Sequence, residues 1–145
     1  MKKRYWLTPP EEFKKLNQEF NFDFDPCPCP RPEGYNSLVL PWGKRNYVNP
    51  PFLKEDAPFG GPSAFARKAI EEAQNGNTSV FVLPLPWNIA LLMEAGAEVR
   101  YGGKWRWLEV DSKEPGPARA QGIFILSGAD ILNILKTNGK DSKQK

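Results

Sequence analysis

The residues Asn49-Pro50-Pro51-Phe52 form the stretch of this sequence best suited to chemistry. Neither proline donates a backbone hydrogen bond and both are stiff in φ, so the stretch predicts a rigid bend outside any helix or central strand. The pair Tyr47-Val48 precedes it, as the end of a strand would. The bend would hold four groups in fixed positions: the Asn49 amide, the two proline carbonyls and the Phe52 ring.

That set of groups suits an acceptor with an amino group on a planar ring. The amine would donate its N–H bonds to the Asn49 side-chain oxygen and to a proline carbonyl, while the ring stacks on Phe52. These hydrogen bonds move lone-pair density onto the nitrogen, which becomes a better nucleophile. Asn and Pro are also ordinary turn residues, so a plain turn at a strand end is the alternative interpretation.

Helices and strands must position this bend, and the hydrophobic pattern predicts both. Proline placement and apolar spacing predict a helix after Thr8-Pro9-Pro10, with Thr8 as its cap, that runs to about Phe20. A second helix is expected over residues 64–74, with Ser63 as its cap. The apolar run 79–83 is typical of a central strand covered on both faces.

The last third of the chain predicts a late antiparallel hairpin. A short strand is expected at 98–101, and the hairpin strands are expected at 102–108 and 122–126, with a polar loop at 111–121 between them. Strands that alternate with helices imply a single α/β domain, residues 1–136, with a mainly parallel sheet. An amphipathic pattern predicts a helix over 129–135, and residues 137–145 are expected to be a disordered Lys-rich tail.

Several short motifs together resemble one family, the phage-encoded Dam-like DNA N6-adenine methyltransferases, which use S-adenosylmethionine (SAM). In chain order the motifs are Trp6-Leu7-Thr8-Pro9-Pro10, Phe22-Asp23-Phe24-Asp25-Pro26-Cys27, Asn49-Pro50-Pro51-Phe52, Val80-Phe81-Val82-Leu83-Pro84 and Gly103-Lys104-Trp105-Arg106-Trp107. The resemblance runs from about Trp6 to Leu126. It implies a reduced Rossmann-like SAM methyltransferase fold, with a mainly parallel sheet flanked by helices and a late antiparallel hairpin.

The resemblance also implies roles for individual residues. The catalytic set would be Asn49, Pro50, Pro51 and Phe52, which would hold a flipped adenine for direct transfer to N6. The cofactor set for SAM would be Thr8, Pro9, Asp25, Pro26 and Cys27. Asp25 also stands at the end of a short alternating run, where acidic residues contact ribose or amino groups, although a solvated turn explains it equally.

The sequence departs from many SAM enzymes in one place. After the first predicted strand such enzymes have a glycine-rich turn, because only glycine lets the backbone approach the cofactor closely. This chain has Pro26-Cys27-Pro28-Cys29-Pro30 there, and its nearest glycine is Gly34. Either the pocket is built differently or SAM binding is weak or lost.

Five residues are candidates for contact with substrate: Lys44, Trp87, Lys104, Arg106 and Arg119. Lys44 precedes the presumed catalytic strand, and Trp87 is a second stacking surface unless it packs in the core. Lys104 and Arg106 alternate with tryptophans, as in sites that hold single-stranded or flipped bases. The same alternation is typical of an edge strand.

Composition limits the class of protein. The 145 residues, 40% of them hydrophobic, suffice for one domain with a real core, and the net charge of +3 permits contact with DNA without requiring it. No signal peptide or membrane span is expected, which predicts a cytoplasmic protein, in the host cytoplasm if it is phage-encoded. With no histidine and two cysteines one residue apart, we expect reduced thiols and no metal site.

Two rival functions remain open at this level. A methyltransferase that acts on cytosine N4 or on an amide would keep the same tetrapeptide. A non-catalytic descendant that only binds nucleic acid, or serves as an interaction module, would explain the missing glycine-rich turn. The residues indicate neither a recognition sequence nor an oligomeric state.

Overall fold

Five strands form one mixed sheet in a computed structural model that describes residues 6–51, 57–84 and 90–128. The strands are β1 (Trp6–Leu7), β2 (Arg45–Val48), β3 (Thr78–Pro84), β4 (Glu98–Glu109) and β5 (Pro115–Leu126). Their order across the sheet is β1-β4-β5-β3-β2. Only β2 and β3 pair in parallel, and the other three neighbouring pairs are antiparallel.

The predicted Rossmann-like, mainly parallel sheet is therefore wrong: the sheet is a curled half-barrel of mixed strands. The connections explain the difference. A parallel pair needs a crossover, and the helix α2 (Pro62–Gln74) provides one between β2 and β3. A tight turn joins β4 to β5, so these two strands run antiparallel. β5 lies between β4 and β3 in the sheet, and its pairing with β3 is also antiparallel.

The β4–β5 hairpin is longer than the sequence predicted, because most of the expected loop 111–121 is strand. Pro115 and Pro117 favoured a loop. In the sheet, β3 ends opposite Gln121, so residues 115–120 of β5 pair with β4 alone. Proline is tolerated where one side of a strand is open, since no hydrogen-bond partner waits for its missing N–H.

Three helices accompany the sheet: α1 (Pro10–Phe20), α2 and α3 (Ala90–Glu94). The predicted spans of α1 and α2 are confirmed within two residues, but their caps differ. Pro9 and Gly61 occupy the N-cap positions, and neither helix has a side-chain cap. Thr8 and Ser63, the predicted caps, do not serve as caps. The expected helix 129–135, the tail 137–145 and the basic start Lys2-Lys3-Arg4 lie outside the described residues.

Alternation along the strands sends side chains to two cores, one on each face of the sheet. On the α1 face, the buried residues are Tyr47, Val80, Val82, Trp105, Ile123 and Ile125. On the α2 face, they include Val48, Phe65, Phe81, Leu83, Phe124 and Leu126. Both faces of the central strand β3 are therefore covered, as its unbroken apolar run predicted.

The curl of the sheet brings its two edges together. The outer part of the β4–β5 hairpin projects beyond the carboxyl end of β3, where β1 pairs with it through Leu7 and Leu108. The next residue, Thr8, hydrogen-bonds to the hydroxyl of Tyr47 on β2, the opposite edge strand. The projecting hairpin and the carboxyl end of β2 consequently belong to the same end of the molecule.

Candidate active site

Asn49 lies at the carboxyl end of β2, directly after the strand. Its neighbours Val48 and Pro50 are completely buried, while Asn49 itself is half-buried. Its side chain makes no hydrogen bond within the described part of the chain. Packing on both sides therefore fixes the backbone around Asn49, and its carboxamide remains available. Pro51 is half-buried, and Phe52 lies outside the described residues.

Tyr47, two residues earlier, connects Asn49 to the start of α1. Its hydroxyl hydrogen-bonds to the hydroxyl of Thr8, and its ring packs edge-on against Phe13 at 5.0 Å between centroids. Burial raises the pKa of Tyr47 and the Thr8 hydrogen bond only partly offsets this, so the phenol is neutral at physiological pH. Thr8 thus contacts the strand that leads into the Asn49-Pro50-Pro51 stretch.

Asp25 and Cys27 follow a segment that lies beside β2, and Cys27 packs against the core on the α2 face. The segment before them is held at the edge of the sheet by a parallel bridge between Phe24 and Asn46. The Cys27 backbone N–H donates a 2.8 Å hydrogen bond to the Asp25 carboxylate. The negative charge of Asp25 contributes to the raised pKa of Tyr47, which places the two groups within electrostatic reach of each other.

Asp25 is an unusual carboxylate for an exposed residue. The protein atoms around it raise its pKa to about 6, although the hydrogen bond from Cys27 acts in the opposite direction. The Asp25 carboxyl group therefore titrates close to neutrality. Its ionised form can accept hydrogen bonds or bind a cation. Burial, reinforced by the charge of Asp25, raises the pKa of the Cys27 thiol, so Cys27 is a protonated thiol and a poor nucleophile or metal ligand.

The proline-rich turn is ordered by contacts that a glycine-rich turn would not make. Pro26 is completely buried, and its carbonyl accepts a 2.6 Å hydrogen bond from the Ser37 hydroxyl. Neither Cys27 nor Cys29 is part of a disulfide. Pro9, the other predicted cofactor residue, gives its carbonyl to the first N–H groups of α1, so its hydrogen-bonding capacity is already used.

A shallow depression of about 250 Å³, including its part open to solvent, lies beside Pro51. Its lining also includes Arg31, Tyr35, Asn36, Phe59 and Phe65. Arg31 donates to the Tyr35 carbonyl at 3.2 Å, and its guanidinium lies over the Phe59 ring at 5.7 Å. Its Nε is buried without a hydrogen-bond partner. The depression therefore offers an unused donor on a cationic group.

The predicted substrate residues do not form one cluster. Lys44 lies at the amino end of β2, five residues from Asn49, or about 16 Å of strand. Lys104 and Arg106 face the α2 side of the hairpin, whereas Arg119 pairs with Trp105 and faces the α1 side. Trp87 lies outside the described residues.

The tryptophans of the hairpin do not interleave with the cations as a stacking surface. Trp105 is only 3% exposed, and its indole N–H donates to the Gly102 carbonyl at 2.9 Å. Trp107 is half-buried and packs against Trp105 at 5.3 Å between centroids. Of the two interpretations of this stretch, the half-buried strand accounts for the tryptophans.

Sequence reasoning missed three residues of the candidate site: Arg31, Tyr35 and Tyr47. Burial and the nearby charge of Asp25 raise the pKa of Tyr35, so its phenol also lies near the Asp25 carboxylate. Tyr47 had a signal in the sequence, because a tyrosine inside a central apolar strand must find a partner for its hydroxyl. Arg31 had none, since its position depends on the path of a proline-rich loop.

Comparisons with known proteins add no relative. A scan against protein-family models finds no match, and searches of the curated proteins and of the solved structures find no significant match. Among the described residues, no helix is long and apolar enough to cross a membrane. The same residues contain no cluster of His, Cys, Asp or Glu that could hold a metal ion. The function must therefore be argued from the site.

Proposed function

We propose that this protein transfers a methyl group from SAM to N6 of an adenine held at Asn49. The observation that carries the proposal is convergence in space. Thr8, which the resemblance assigned to the cofactor, hydrogen-bonds to Tyr47, two residues before the half-buried Asn49, and the charge of Asp25, another of the assigned residues, acts on the same Tyr47. These residues are up to 41 positions apart in the sequence, so chain proximity does not explain their meeting.

Groups near the Asn49-Pro50-Pro51 stretch fit the chemistry of SAM. Its ribose hydroxyls and its ammonium group need acceptors, and the Asp25 carboxylate is one that titrates near neutrality. Its carboxylate needs a donor, and the buried Arg31 Nε is one without a partner. The absent glycine-rich turn is not an obstacle to this arrangement, because it relies on side chains rather than on close approach of the backbone.

SAM supplies an electrophilic methyl group on a sulfonium centre, and the protein's part is to prepare the amine. The Asn49 side-chain oxygen and the Pro50 carbonyl accept hydrogen bonds from the two N6–H groups. These hydrogen bonds fix the amine and increase its nucleophilicity. Because Val48 and Pro50 are buried, the backbone of Asn49 is already fixed before the reaction begins. Positioning of this kind supplies a large share of catalysis without a strong general base.

Adenine is preferred to other amino acceptors on the strength of the resemblance, so the test must identify the product. Unmethylated DNA is incubated with the purified protein and SAM, digested to nucleosides and measured by mass spectrometry. We expect N6-methyladenine, and we expect its loss with Asn49→Ala. N4-methylcytosine would move the proposal to a different acceptor. No methylated nucleoside from several DNA substrates, together with no SAM binding, would overturn it in favour of a non-catalytic binding module.

A further inference from the structure

The projecting β4–β5 hairpin has an uncovered face with an aromatic residue and two cations in a row. Tyr101, Lys104 and Arg106 lie on the α2 side of β4, the side opposite Trp105. Tyr101 is 63% exposed, and both cations are exposed. The β-bulge between Tyr101 and Gly103 keeps the three side chains on the same face despite the uneven spacing in the sequence.

The facing residues on β5 leave this surface open. Tyr101 is opposite Gly122, Lys104 is opposite Ala120, and Arg106 is opposite Ala118. A glycine and two alanines have no long side chains to cover their neighbours, so Tyr101, Lys104 and Arg106 remain exposed. The pattern differs from the rest of the hairpin, where large side chains face each other, as Val99 faces Phe124.

The two cations on this face have no acidic partners within the described part of the chain. Arg100, on the other face of β4, forms ion pairs with Glu19 and Glu98. Neither Lys104 nor Arg106 forms a salt bridge within the described part of the chain, and the Arg106 Nε donates to the Gly116 carbonyl at 2.8 Å. That hydrogen bond holds the Arg106 guanidinium in place and leaves its charge uncompensated. The face is therefore complementary to a polyanion.

We propose that this face, made of Tyr101, Lys104 and Arg106, binds a single strand of nucleic acid. An exposed aromatic ring stacks on a base, while lysine and arginine contact the phosphates, a combination typical of single-strand binding. Duplex DNA offers phosphates but keeps the faces of its bases stacked, so it would not use Tyr101. The occupant that matches both parts of the surface is a strand with unstacked bases.

This surface lies within reach of the candidate active site. β4 is three strands away from β2, or roughly 14 Å at the usual spacing, and the hairpin projects past the strand ends where Asn49 lies. The identification of the bound nucleic acid as DNA rests on the proposed function. The proposal that the surface binds a single strand of nucleic acid does not depend on that function.

The test is binding of a short fluorescent single-stranded DNA, measured by anisotropy over a range of salt concentrations in the absence of SAM. We expect Tyr101→Ala and Tyr101→Leu to weaken binding roughly 5- to 100-fold with an unchanged salt dependence, and Tyr101→Phe to bind normally. The double variant Lys104→Ala/Arg106→Ala should reduce the slope of log affinity against log salt by about 1.4. A matched double variant, Lys14→Ala/Arg67→Ala, removes two exposed cations elsewhere and should leave both quantities unchanged.

Three outcomes would overturn the inference: no binding by the wild type at low salt, equal losses in the matched control, or unchanged single-strand binding in Tyr101→Leu. Thermal unfolding of each variant confirms that it is folded. Binding that depends on Tyr101 without any methyl transfer would overturn the proposed function alone, and methyl transfer with no role for Tyr101 in binding would overturn this inference alone.

Discussion

Strand β2 carries one asparagine near each end, and the two have opposite surroundings. Asn46 is completely buried. Its amide oxygen accepts from the Gly43 N–H at 2.9 Å, and its amide nitrogen donates to the carbonyls of Gly43 and Thr78 at 3.0 and 3.1 Å. Asn49 is half-buried and makes no side-chain hydrogen bond within the described residues. An amide with all its hydrogen bonds made inside the protein stabilises the fold, whereas an accessible amide on a fixed backbone is available to a ligand.

Two carboxylates repeat this contrast. Glu72, at the same end as Asn46, accepts hydrogen bonds from Asn77 at 2.8 Å and from Lys68 at 3.1 Å. Burial alone would raise the pKa of Glu72, but these hydrogen bonds and the charge of Lys68 hold it below its usual value. Asp25, at the Asn49 end, has a raised pKa of about 6. The amino end of β2 is thus internally satisfied, and the carboxyl end is prepared for a partner.

The largest expected effect on stability is that of Asn46→Ala. The substitution leaves a buried N–H and two carbonyls without partners, so we expect a loss of about 2–4 kcal/mol in the free energy of unfolding. Asn49→Ala should change it by no more than about 0.5 kcal/mol. Urea unfolding of both variants measures the difference. Equal losses would show that the two amides are equally structural and would remove the contrast.

A smaller effect is expected on the pH dependence of SAM binding. If the cofactor needs the ionised Asp25 carboxylate, its affinity should rise through pH 6 and be about tenfold weaker at pH 5 than at pH 7.5, since the pKa of the free group is about 6. Calorimetric titration at several pH values measures this. Asp25→Asn should bind more weakly and without this pH dependence. A flat profile in the wild type would exclude Asp25 as a contact.

The same raised pKa makes a stability prediction with a definite sign. The folded state holds the Asp25 proton more tightly than the unfolded chain, whose Asp has a pKa near 3.8. This contribution to stability is present below about pH 4 and is lost as the pH rises through 6. Unfolding of the wild type should therefore show a fall in stability over that window that Asp25→Asn lacks. An identical pH profile for the two proteins would contradict the shift.

The smallest effect concerns the contact between Thr8 and Tyr47. Tyr47→Phe keeps the aromatic packing and removes one hydrogen bond, so we expect a loss of about 1 kcal/mol. Thr8→Val should cost more, because it leaves the buried phenol hydroxyl unsatisfied. Unfolding of the double variant should show that the two losses are not additive. Strict additivity would mean that the hydroxyls do not interact.

Local features of the fold were predictable from the sequence, and its sheet was not. The helices at 10–20 and 62–74 and the strand at 78–84 follow from periodicity and from proline placement. Strand order depends on pairings between distant residues that no local pattern encodes. The length of the hairpin was underestimated for a related reason. Pro115 and Pro117 predict a loop, and only the pairing of the strands shows that one side of β5 is open at these residues.

The candidate site was predictable in its residue types and only partly in its geometry. Asn49 was singled out because two prolines follow it, and its position at the end of a strand is confirmed. The predicted cap Thr8 turned out to contact Tyr47, because the curl of the sheet brings β1 to β2, a feature that a parallel sheet would lack. The faces of Lys104 and Arg119 depend on pairing register, which the sequence does not encode.

The most direct test of the account is the rate of methyl transfer to DNA by Asn49→Ala and Asn46→Ala, measured together with the folded fraction of each. We expect Asn49→Ala to be stable but to lose a factor of roughly 10² to 10³ in rate, the effect of removing one preorganised group at a reacting centre. Asn46→Ala should be less stable, with a normal rate per folded molecule. Transfer that survives in Asn49→Ala, or that fails equally in both variants at full folding, would contradict the assignment of the carboxyl end of β2 as the active site.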